Sequence, residues 1–559
     1  MPPSHACDAC RRRKVKCDGV EPCANCGISG LRCVFRGSPR RQRLAVRGIV
    51  AAATPENVQD LALHAADSTT APRLEPGSAL ILDPGSRGGA SSVSSFHHDP
   101  GHIHAHLVAE VDAILAPESI ADLVNKCIDY FFQYLFPNTP IAHEPTLHDA
   151  ATLLAHEGHS TLAKLASSTY DTQHQVECLR RFTLITAFCA FVTAVMSESR
   201  LAQMIQLSRL FLLASRATLQ LYEEYDLEHP NSTSLAIRMW YSAAMHNRTG
   251  RVGTSHHYHA EAAYLAQRLR LYNENAVQRD LKLESNLLRA MFWLLFLADK
   301  TAIVLETRPP ILNEMFFSCE FSLLENSDDE GPMLDQSKDT NNQRTLERRI
   351  FIGFHLKRRI WSAAADLIAE IRALSLRIKQ GLVSPAEEGL ALAHLTEAYL
   401  LFTGLAGRLP DWLRQPGHVE GVTDDKVAAF HSTCFWTQRS NIMTAFHCMK
   451  LVILQTCIDH QCTVIMGLDN SSLAWAIRKT EISQDFLHEM QIVPFICFKV
   501  QGETAVERIR RVGSTLLELV HNANNETVQK MARFQFDQLL DFLTRLDSKA
   551  SNELATGPM

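Results

Sequence analysis

The chain has 559 residues, of which 46% are hydrophobic and 21% charged, so it is long and apolar enough to bury a sizeable core. Its net charge is −6, but residues 1–50 contain eleven basic and three acidic residues, a net charge of +8 that leaves −14 for the remainder. This division excludes nucleic-acid binding through a basic surface spread over the whole chain, and confines it to the N-terminal segment. The most apolar run, residues 182–196, is shorter than the ~20 residues that a membrane span needs, which argues against a membrane protein.

Six cysteines within the first 33 residues form the spacing C-x2-C-x6-C-x5-C-x2-C-x6-C. They are Cys7, Cys10, Cys17, Cys23, Cys26 and Cys33. A shift of sixteen positions places the first three on the last three, so the segment is an internal duplication with two equivalent half-sites. Zinc prefers four thiolate or imidazole ligands, so two Zn²⁺ ions held by six cysteines require two bridging cysteines. A disulfide framework is the alternative, but no secretory signal peptide is expected and the basic insert fits it poorly.

A basic run directly after Cys10, residues 11–16, can continue as a short helix. So small a domain has too little apolar surface to fold alone, and zinc, worth about 10 kcal/mol, is expected to stabilise residues 1–36. The cysteine pattern and its basic insert resemble the fungal Zn2Cys6 binuclear cluster family of transcription regulators. The resemblance implies two zinc ions per chain, bridged by Cys7 and Cys23, and a short recognition helix in the major groove of double-stranded DNA.

The same resemblance assigns the DNA contacts. Lys14 is the expected main base reader, with Arg13 beside it, and the family's preference is for CGG triplets. Lys or Arg donating to guanine O6 and N7 is the commonest specific base contact, which agrees with that preference. The expected phosphate contacts are Arg11, Arg12, Lys16 and Arg32. The alternative is a solvated basic face without base contacts, which would make the segment a zinc-stabilised interaction module.

Two linkers are predicted after the cysteines. In the family's layout, residues 37–50 form a basic linker that tracks the DNA backbone, and Arg40, Arg41 and Arg43 within it are also typical of a nuclear-import signal. A basic tail that does neither is the alternative. Residues 51–106 are rich in Ala, Ser, Gly, Pro and His without a sustained period, and are interpreted as a disordered linker whose histidines form a solvated polar tract.

No coiled coil for dimerisation is evident after this linker. The candidate apolar positions are Leu107, Val111, Ile114 and Leu115. They stop at Pro117 after little more than one heptad, whereas three or four heptads are the usual sign. A homodimer is left open, but this route to it is not supported.

Residues 118–548 show apolar-periodic segments separated by short polar breaks, which predicts a large all-α domain and a mostly α fold. Within it, the stretch RAMFWLLFLADKTAIVLETRPP resembles the fungal transcription factor regulatory domain, or middle homology region. The matching residues are Arg289, Phe292, Trp293, Asp299, Lys300, Arg308 and Pro309. Helical spacing places Asp299 at the edge of an apolar stripe, where Arg308 is its natural partner in an ion pair. The resemblance implies a domain that binds a small-molecule effector or a partner protein.

No motif argues strongly for catalysis, since G-x-S-x-G, P-loop, H-E-x-x-H and dinucleotide glycine patterns are absent. An enzyme delivered to chromatin by the zinc cluster is the alternative. A second group, His447, Cys448, Cys457, His460 and Cys462, fits no usual zinc spacing and is interpreted as part of a helical core. The nine cysteines beyond the cluster fit a reducing compartment, and the nucleus is the expected location.

The C-terminal segment from Phe534 to Leu546 alternates Phe, Leu and Asp, as do segments that touch the transcription machinery. Its apolar residues are also spaced as in a helix docked on its own core, which is the preferred interpretation. Residues 549–559 are expected to form a disordered tail. Taken together, the sequence predicts a nuclear, zinc-dependent, sequence-specific regulator of RNA polymerase II transcription, for a sugar-use or secondary-metabolite pathway, and not an enzyme.

Overall fold

The computed structural model describes residues 17, 26, 99–155, 161–163, 172–196, 201–249, 252–278, 281–314, 317, 332–337, 340–419 and 421–546. The chain divides into two compact units, Met1–Ser92 and Val93–Met559. The first unit is described only at Cys17 and Cys26. The fold reported below is therefore that of the second unit, which we call the helical domain.

All regular elements in the described ranges are helical, as predicted for this part of the chain. The first ten α-helices are α1 (Pro100–Leu115), α2 (Ile120–Tyr130), α3 (Glu144–Ala151), α4 (Thr172–Val195), α5 (Leu201–Gln220), α6 (Glu223–Glu228), α7 (Ser232–Thr249), α8 (Val252–Arg268), α9 (Glu274–Val277) and α10 (Lys282–Leu305). They are followed by α11 (Thr340–Lys379), α12 (Pro385–Ala406), α13 (Asp411–Arg414), α14 (Asp425–Asp459), α15 (Ser472–Ile492), α16 (Ile496–Lys499), α17 (Glu503–Asn522) and α18 (Glu526–Arg545). A π-helical turn, Phe131–Leu135, continues α2.

Side chains that cap the first turn define where several helices begin. At α2, the Ser119 hydroxyl accepts from the backbone N–H of Asp122, and the Asp122 carboxylate accepts from the backbone N–H of Ser119. Ser384 and Glu387 form the same capping box at α12, where Pro385 takes the first helical position. Each box satisfies N–H groups that have no partner inside the helix, so the chain enters a helix at the serine.

The two longest helices, α11 and α14, pack against each other in the interior of the domain. Gly353 of α11 faces Gln438 of α14, which is completely buried, and a Cβ at Gly353 would lie only 1.9 Å from the Gln438 Oε1. The Gln438 side-chain amide donates to the carbonyl oxygens of Pro137 at 2.7 Å and Ile350 at 2.9 Å. The glycine thus lets the helices approach closely enough for one amide to join three segments.

The helical domain begins earlier than the sequence predicted. Residues 100–106, assigned above to the disordered linker, form the first turns of α1, and the prediction is wrong for them. The Asp99 carboxylate accepts from the backbone N–H of His102 at 3.0 Å, and Ile103 and His104 are each only 1% exposed. The polar histidines concealed a helical spacing of apolar residues, so His104 is a core residue rather than part of a solvated tract. Residues 51–98 lie outside the described residues.

The apolar positions of α1 pack within the chain itself. Leu107, Val111 and Leu115 are buried in the domain core, and α1 packs on α5. These side chains are therefore buried within the chain itself in this structure, and a homodimer formed by another surface stays an open prediction.

Three helices in the described part of the chain are long and apolar enough to cross a membrane, by length and composition alone. They lie in α4, α12 and α14. The apolar run at 182–196 is part of α4, whose 24 residues make the helix long enough although the run itself is not. The apolar windows of α4 and α14 are 89% and 78% buried inside the protein, as expected of core helices, whereas that of α12 is only 22% buried.

The C-terminal helix α18 docks on the domain, as predicted. Phe536, Leu539 and Leu543 are buried in a second hydrophobic cluster that also includes residues of α15 and α17. Only Phe534 of this segment's large apolar residues projects far into solvent, with 64% of its surface exposed. Residues 547–559, which include the expected disordered tail, lie outside the described residues.

Candidate functional site

Two of the six predicted zinc ligands fall within the described residues. Cys26 is helical and 1% exposed, and Cys17 is half-buried. Six thiolates are a donor set that zinc takes in structural sites, so these residue types fit two Zn²⁺ ions. The remaining predicted ligands and DNA contacts lie outside the described residues: Cys7, Cys10, Cys23, Cys33, Arg11, Arg12, Arg13, Lys14, Lys16, Arg32, Arg40, Arg41 and Arg43.

The predicted ion pair between Asp299 and Arg308 is confirmed. The Arg308 Nη1 donates to the Asp299 Oδ1 at 2.6 Å. The second oxygen of Asp299 accepts from the backbone N–H groups of Ile311 at 2.8 Å and Leu312 at 2.7 Å. One buried carboxylate on α10 therefore holds the segment that follows this helix, and this segment includes the Arg-Pro pair of the motif.

Two other residues of the motif tie α10 to α11. The Lys300 ammonium is almost completely buried and lies 2.6 Å from a carboxylate oxygen of Asp366 and 2.6 Å from one of Glu314. The Arg358 guanidinium lies over the ring of Trp293, 4.0 Å from its centroid, a cation–π contact. The motif is thus a structural joint between two helices, in keeping with the interpretation of Asp299 as structural rather than catalytic.

A cavity of about 900 Å³ lies beside this joint. It is bounded by residues from α4, α7, α8, α10, α11 and α17, together with the π-helical turn and the segments next to it. Apolar side chains form much of its wall, including Phe191, Met239, Trp240, Leu297 and Trp361. Cavities of this size and character accept small organic molecules, which bury most of their surface in them.

Two cations in the cavity wall have no acidic partner. Lys357 of α11 lines the cavity and makes no hydrogen bond or ion pair with any residue in the described ranges. Arg508 of α17 is 3% exposed and donates only to neutral acceptors, namely the backbone oxygens of Thr504 and Asn441, the Thr444 hydroxyl and the Gln501 side-chain oxygen. Burial, with the positive charge of Arg508, lowers the pKa of Lys357 to about 7, and burial lowers the pKa of Arg508 to about 10.

Other charged groups in the cavity wall have partners. Arg308 is held by Asp299, and Glu507 lies 3.4 Å from Arg510. His259 is half-buried near Arg308, and this burial, helped by that positive charge, lowers its pKa to about 4, so the imidazole is neutral at neutral pH. In the described part of the chain, neither Lys357 nor Arg508 forms an ion pair with a carboxylate, although Glu503 and Glu507 also line the cavity.

Sequence reasoning did not single out Lys357 or Arg508. Lys357 follows Phe354 by three residues and precedes Trp361 by four, which places it on the buried apolar stripe of α11. Arg508 likewise lies between the buried Ala505 and Val512 on α17. A cation within an apolar stripe is the signal in the sequence for such a position, but the stripe does not indicate that the two helices face one cavity.

The second group of histidines and cysteines is not gathered into a metal site. Among the described residues, no three His, Cys, Asp or Glu side chains come together in a way that could hold a metal ion. Cys448 and Cys457 are buried in α14, and the His460 ring is hydrogen-bonded to the Ser375 hydroxyl at 2.9 Å. Burial raises the pKa of the Cys448 thiol to about 11, as expected of a core cysteine.

Two family matches cover just over half of the chain. Residues 5–42 match the fungal Zn(2)-Cys(6) binuclear cluster domain, and residues 128–384 match the fungal specific transcription factor domain. The second match includes the Asp299–Arg308 joint and Lys357 but ends before Arg508.

Several curated proteins are similar to parts of the chain. The C6 finger domain transcription factor nscR of Arthroderma gypseum is 28% identical over 170 residues, which is 30% of this chain and 21% of that protein. The probable transcriptional regulatory protein STB4 of Saccharomyces cerevisiae is 37% identical over 103 residues, 18% of this chain and 10% of that protein. The abscisic acid cluster transcription factor abl7 of Leptosphaeria maculans is 52% identical over 40 residues, 7% of each chain.

The matched segments thus span at most about a fifth of the length of these relatives. The relatives are named as transcriptional regulators and not as enzymes. No solved structure matches the chain.

Proposed function

Because this chain belongs to the fungal transcription factors that combine a Zn(2)-Cys(6) binuclear cluster with a fungal specific transcription factor domain, we propose that it is a zinc-dependent, sequence-specific DNA-binding regulator of RNA polymerase II transcription. The observation that carries the proposal is the duplicated cysteine pattern with its basic insert, which lies within the matched residues 5–42. The family is one of transcription factors, so the enzyme alternative is set aside.

The short helix after Cys10 is proposed to contact the DNA bases, and we call it the reading head. Lys14 donates to guanine in a CGG triplet, with Arg13 beside it, because a Lys or Arg side chain matches the two acceptors on the guanine edge. Arg11, Arg12, Lys16 and Arg32 contact phosphates, and Arg40, Arg41 and Arg43 follow the DNA backbone. The phosphate contacts position the domain, whereas the contacts with bases specify the site.

The helical domain is proposed to control this activity. Its cavity supports an effector role, because a folded domain that keeps a space of about 900 Å³ beside its family motif has room for a small molecule. The proposed location is the nucleus, where the regulator meets both DNA and the transcription machinery.

The proposed targets are genes of sugar use or of a secondary-metabolite pathway. The similarity of 40 residues of the chain to a regulator named for the abscisic acid cluster supports the second class. Chromatin immunoprecipitation with sequencing in the fungus that encodes the chain tests this. Enrichment at neighbouring genes of one biosynthetic cluster would support it, and enrichment only at unrelated genes would contradict it.

The experiment that tests the DNA-binding proposal is selection of bound sites from random duplex DNA by the full-length protein, at a stated salt concentration, with and without a zinc chelator. Zinc-dependent enrichment of CGG is expected. One enriched triplet indicates a single reading head, and two at a fixed spacing indicate a pair of chains. Salt-sensitive binding without any enriched triplet would favour the interaction module that does not read bases.

Matched variants separate the contacts with bases from the contacts with phosphates. Lys14→Ala is expected to weaken binding to the selected site by about 1–3 kcal/mol and to relax the preference at one position. Arg41→Ala is expected to weaken binding to all sequences alike and to reduce the salt dependence. Lys426→Ala, an exposed lysine at the start of α14, serves as the control and should bind as the wild type does.

A further inference from the structure

The inference concerns the two cations without acidic partners in the cavity of the helical domain. A buried charge is costly unless an opposite charge or several hydrogen bonds compensate for it. Arg508 donates four hydrogen bonds to neutral groups. One of its five N–H donors is therefore left without an acceptor in the described part of the chain. Lys357 is half-buried at the cavity wall and makes none, so the three N–H donors of its ammonium group have no acceptor in the described ranges.

When Lys357 is protonated, its positive charge and that of Arg508 repel each other rather than stabilise the fold. The positive charge of Arg508 lowers the pKa of Lys357, and no carboxylate in the described ranges forms an ion pair with this lysine. If this position of the apolar stripe served packing alone, an aliphatic side chain would give a more stable fold, because it carries no charge to bury. An anion placed between the lysine and the arginine would relieve both costs and would use the free donors.

The rest of the cavity is suited to an organic body and not to a bare inorganic ion. Phe191 and Leu297 belong to its wall, and the indole rings of Trp240 and Trp361 add flat apolar surface. A volume of about 900 Å³ far exceeds what a phosphate or sulfate ion fills. Rings packed against indole side chains gain contact area as well as favourable aromatic geometry.

We propose that this cavity binds a small organic anion, with an aromatic or aliphatic body against the apolar wall and its carboxylate held by Lys357 and Arg508. The inference deepens the effector role proposed above and rests on it for its biological meaning. Binding itself is a property of the helical domain, so it is measured without DNA.

The test uses the full-length protein and two probes of nearly equal size, 2-naphthoate and its neutral amide, 2-naphthamide, with isothermal titration calorimetry as the readout. The wild type is expected to bind the naphthoate at least about tenfold more tightly, because hydrogen bonds to charged groups exceed neutral ones by that order. Lys357→Gln should lose about tenfold or more on the naphthoate while its affinity for the amide stays unchanged. Lys426→Gln, on the surface of α14, is the matched control and should bind both probes as the wild type does.

Lys357→Met provides a second variant, since it keeps the length of the side chain and adds no polar group to the core. It is expected to be at least as stable as the wild type without a probe, and to lose the preference for the anion. A lysine that served only the fold would instead show a large loss of stability in Lys357→Met, with both probes bound alike.

Decanoate and inorganic phosphate complete the set of probes. Lys357-dependent binding of either organic anion supports the proposal. Equal affinity for naphthoate and naphthamide, phosphate bound as tightly as the organic anions, or no Lys357-dependent binding of any of the three anions would overturn it. Failure of the DNA-site selection would refute the proposed function and leave this result unchanged, because no DNA is present in the titration.

Discussion

Replacing Asp226 with Asn tests how much of the fold depends on one buried charge cluster. Asp226 of α6 is completely buried. Its Oδ1 accepts from the Arg180 Nη2 at 2.9 Å and from the Ser234 hydroxyl at 2.6 Å, and its Oδ2 accepts from the Arg238 Nη1 at 2.8 Å. The side chains of the two arginines are 8% and 2% exposed, so a single carboxylate is paired with two cations that water barely reaches.

The expected loss of unfolding free energy depends on the two arginines that Asp226→Asn leaves without their charged partner. Asn has the shape of Asp, so Asp226→Asn creates no cavity, but it removes the charge and replaces one acceptor oxygen with an NH2 donor that faces other donors. Breaking a buried pair by removing one partner costs about 3–5 kcal/mol. Arg238 keeps Glu261 at 3.6 Å, and Arg180 keeps the carbonyl oxygen of His229 at 2.6 Å, which places the expected loss near the lower end, about 3 kcal/mol.

The assay is urea denaturation of the full-length protein followed by circular dichroism, which reports the helical domain. Asp149→Asn is the matched control, since Asp149 pairs with Arg181 at the surface with 64% of its side chain exposed. An exposed pair of this kind is worth at most about 1 kcal/mol. A shift for Asp226→Asn no larger than that of the control would refute the reasoning that the buried cluster holds α4, α6 and α7 together.

Three further outcomes are expected. Gly353→Ala should lower the stability of the helical domain by about 1–3 kcal/mol, because the new methyl group displaces the buried Gln438 amide. Gly389 of α12 has open space around it, so Gly389→Ala should raise stability by about 0.5–1 kcal/mol, and the midpoints of urea denaturation compare the two variants. The folded-state pKa of His259 is lowered from 6.5 to about 4, so its contribution to stability is complete above pH 6.5 and about 3 kcal/mol is lost as the pH falls towards 4. His259→Gln should therefore weaken the fall in unfolding free energy at acid pH, and an unchanged fall would contradict this. A zinc chelator should unfold residues 1–36 and so abolish DNA binding. The circular dichroism of the helical domain should stay unchanged, because the described helices contain no cluster of metal-ligating side chains, and loss of the helical signal would contradict this prediction.

The cavity proposed for an effector is formed by helices from distant parts of the sequence. Its wall includes Trp240 of α7, Leu297 of α10, Lys357 of α11 and Arg508 of α17, which are distant in the sequence. A ligand held between them would favour the arrangement of helices that brings these side chains together. A change in that arrangement is the physical route by which binding in the helical domain can influence segments elsewhere in the chain.

The family, the proposed zinc ligands and the helical class of the domain follow from the sequence by itself. The cysteine spacing specifies a ligand set because the chemistry of zinc fixes how many thiolates each ion needs. Helical periodicity in α18 and the spacing of Asp299 relative to Arg308 are local, so the docked helix and the ion pair were both predicted correctly. Where polar residues masked the periodicity, as at His104 in α1, the prediction of a disordered linker was wrong.

Tertiary structure decided what local patterns do not contain. Lys357 and Arg508 lie on helices separated by more than one hundred residues, and only the packing of α11 and α17 around the same space brings their charges close to one cavity. The same holds for Asp226, whose two arginines come from α4 and α7, and for Gly353, whose role depends on Gln438 of α14. Periodicity shows that a side chain is buried, but the partner that it meets depends on contacts between segments far apart in the sequence, and these are set by the packing of the whole domain.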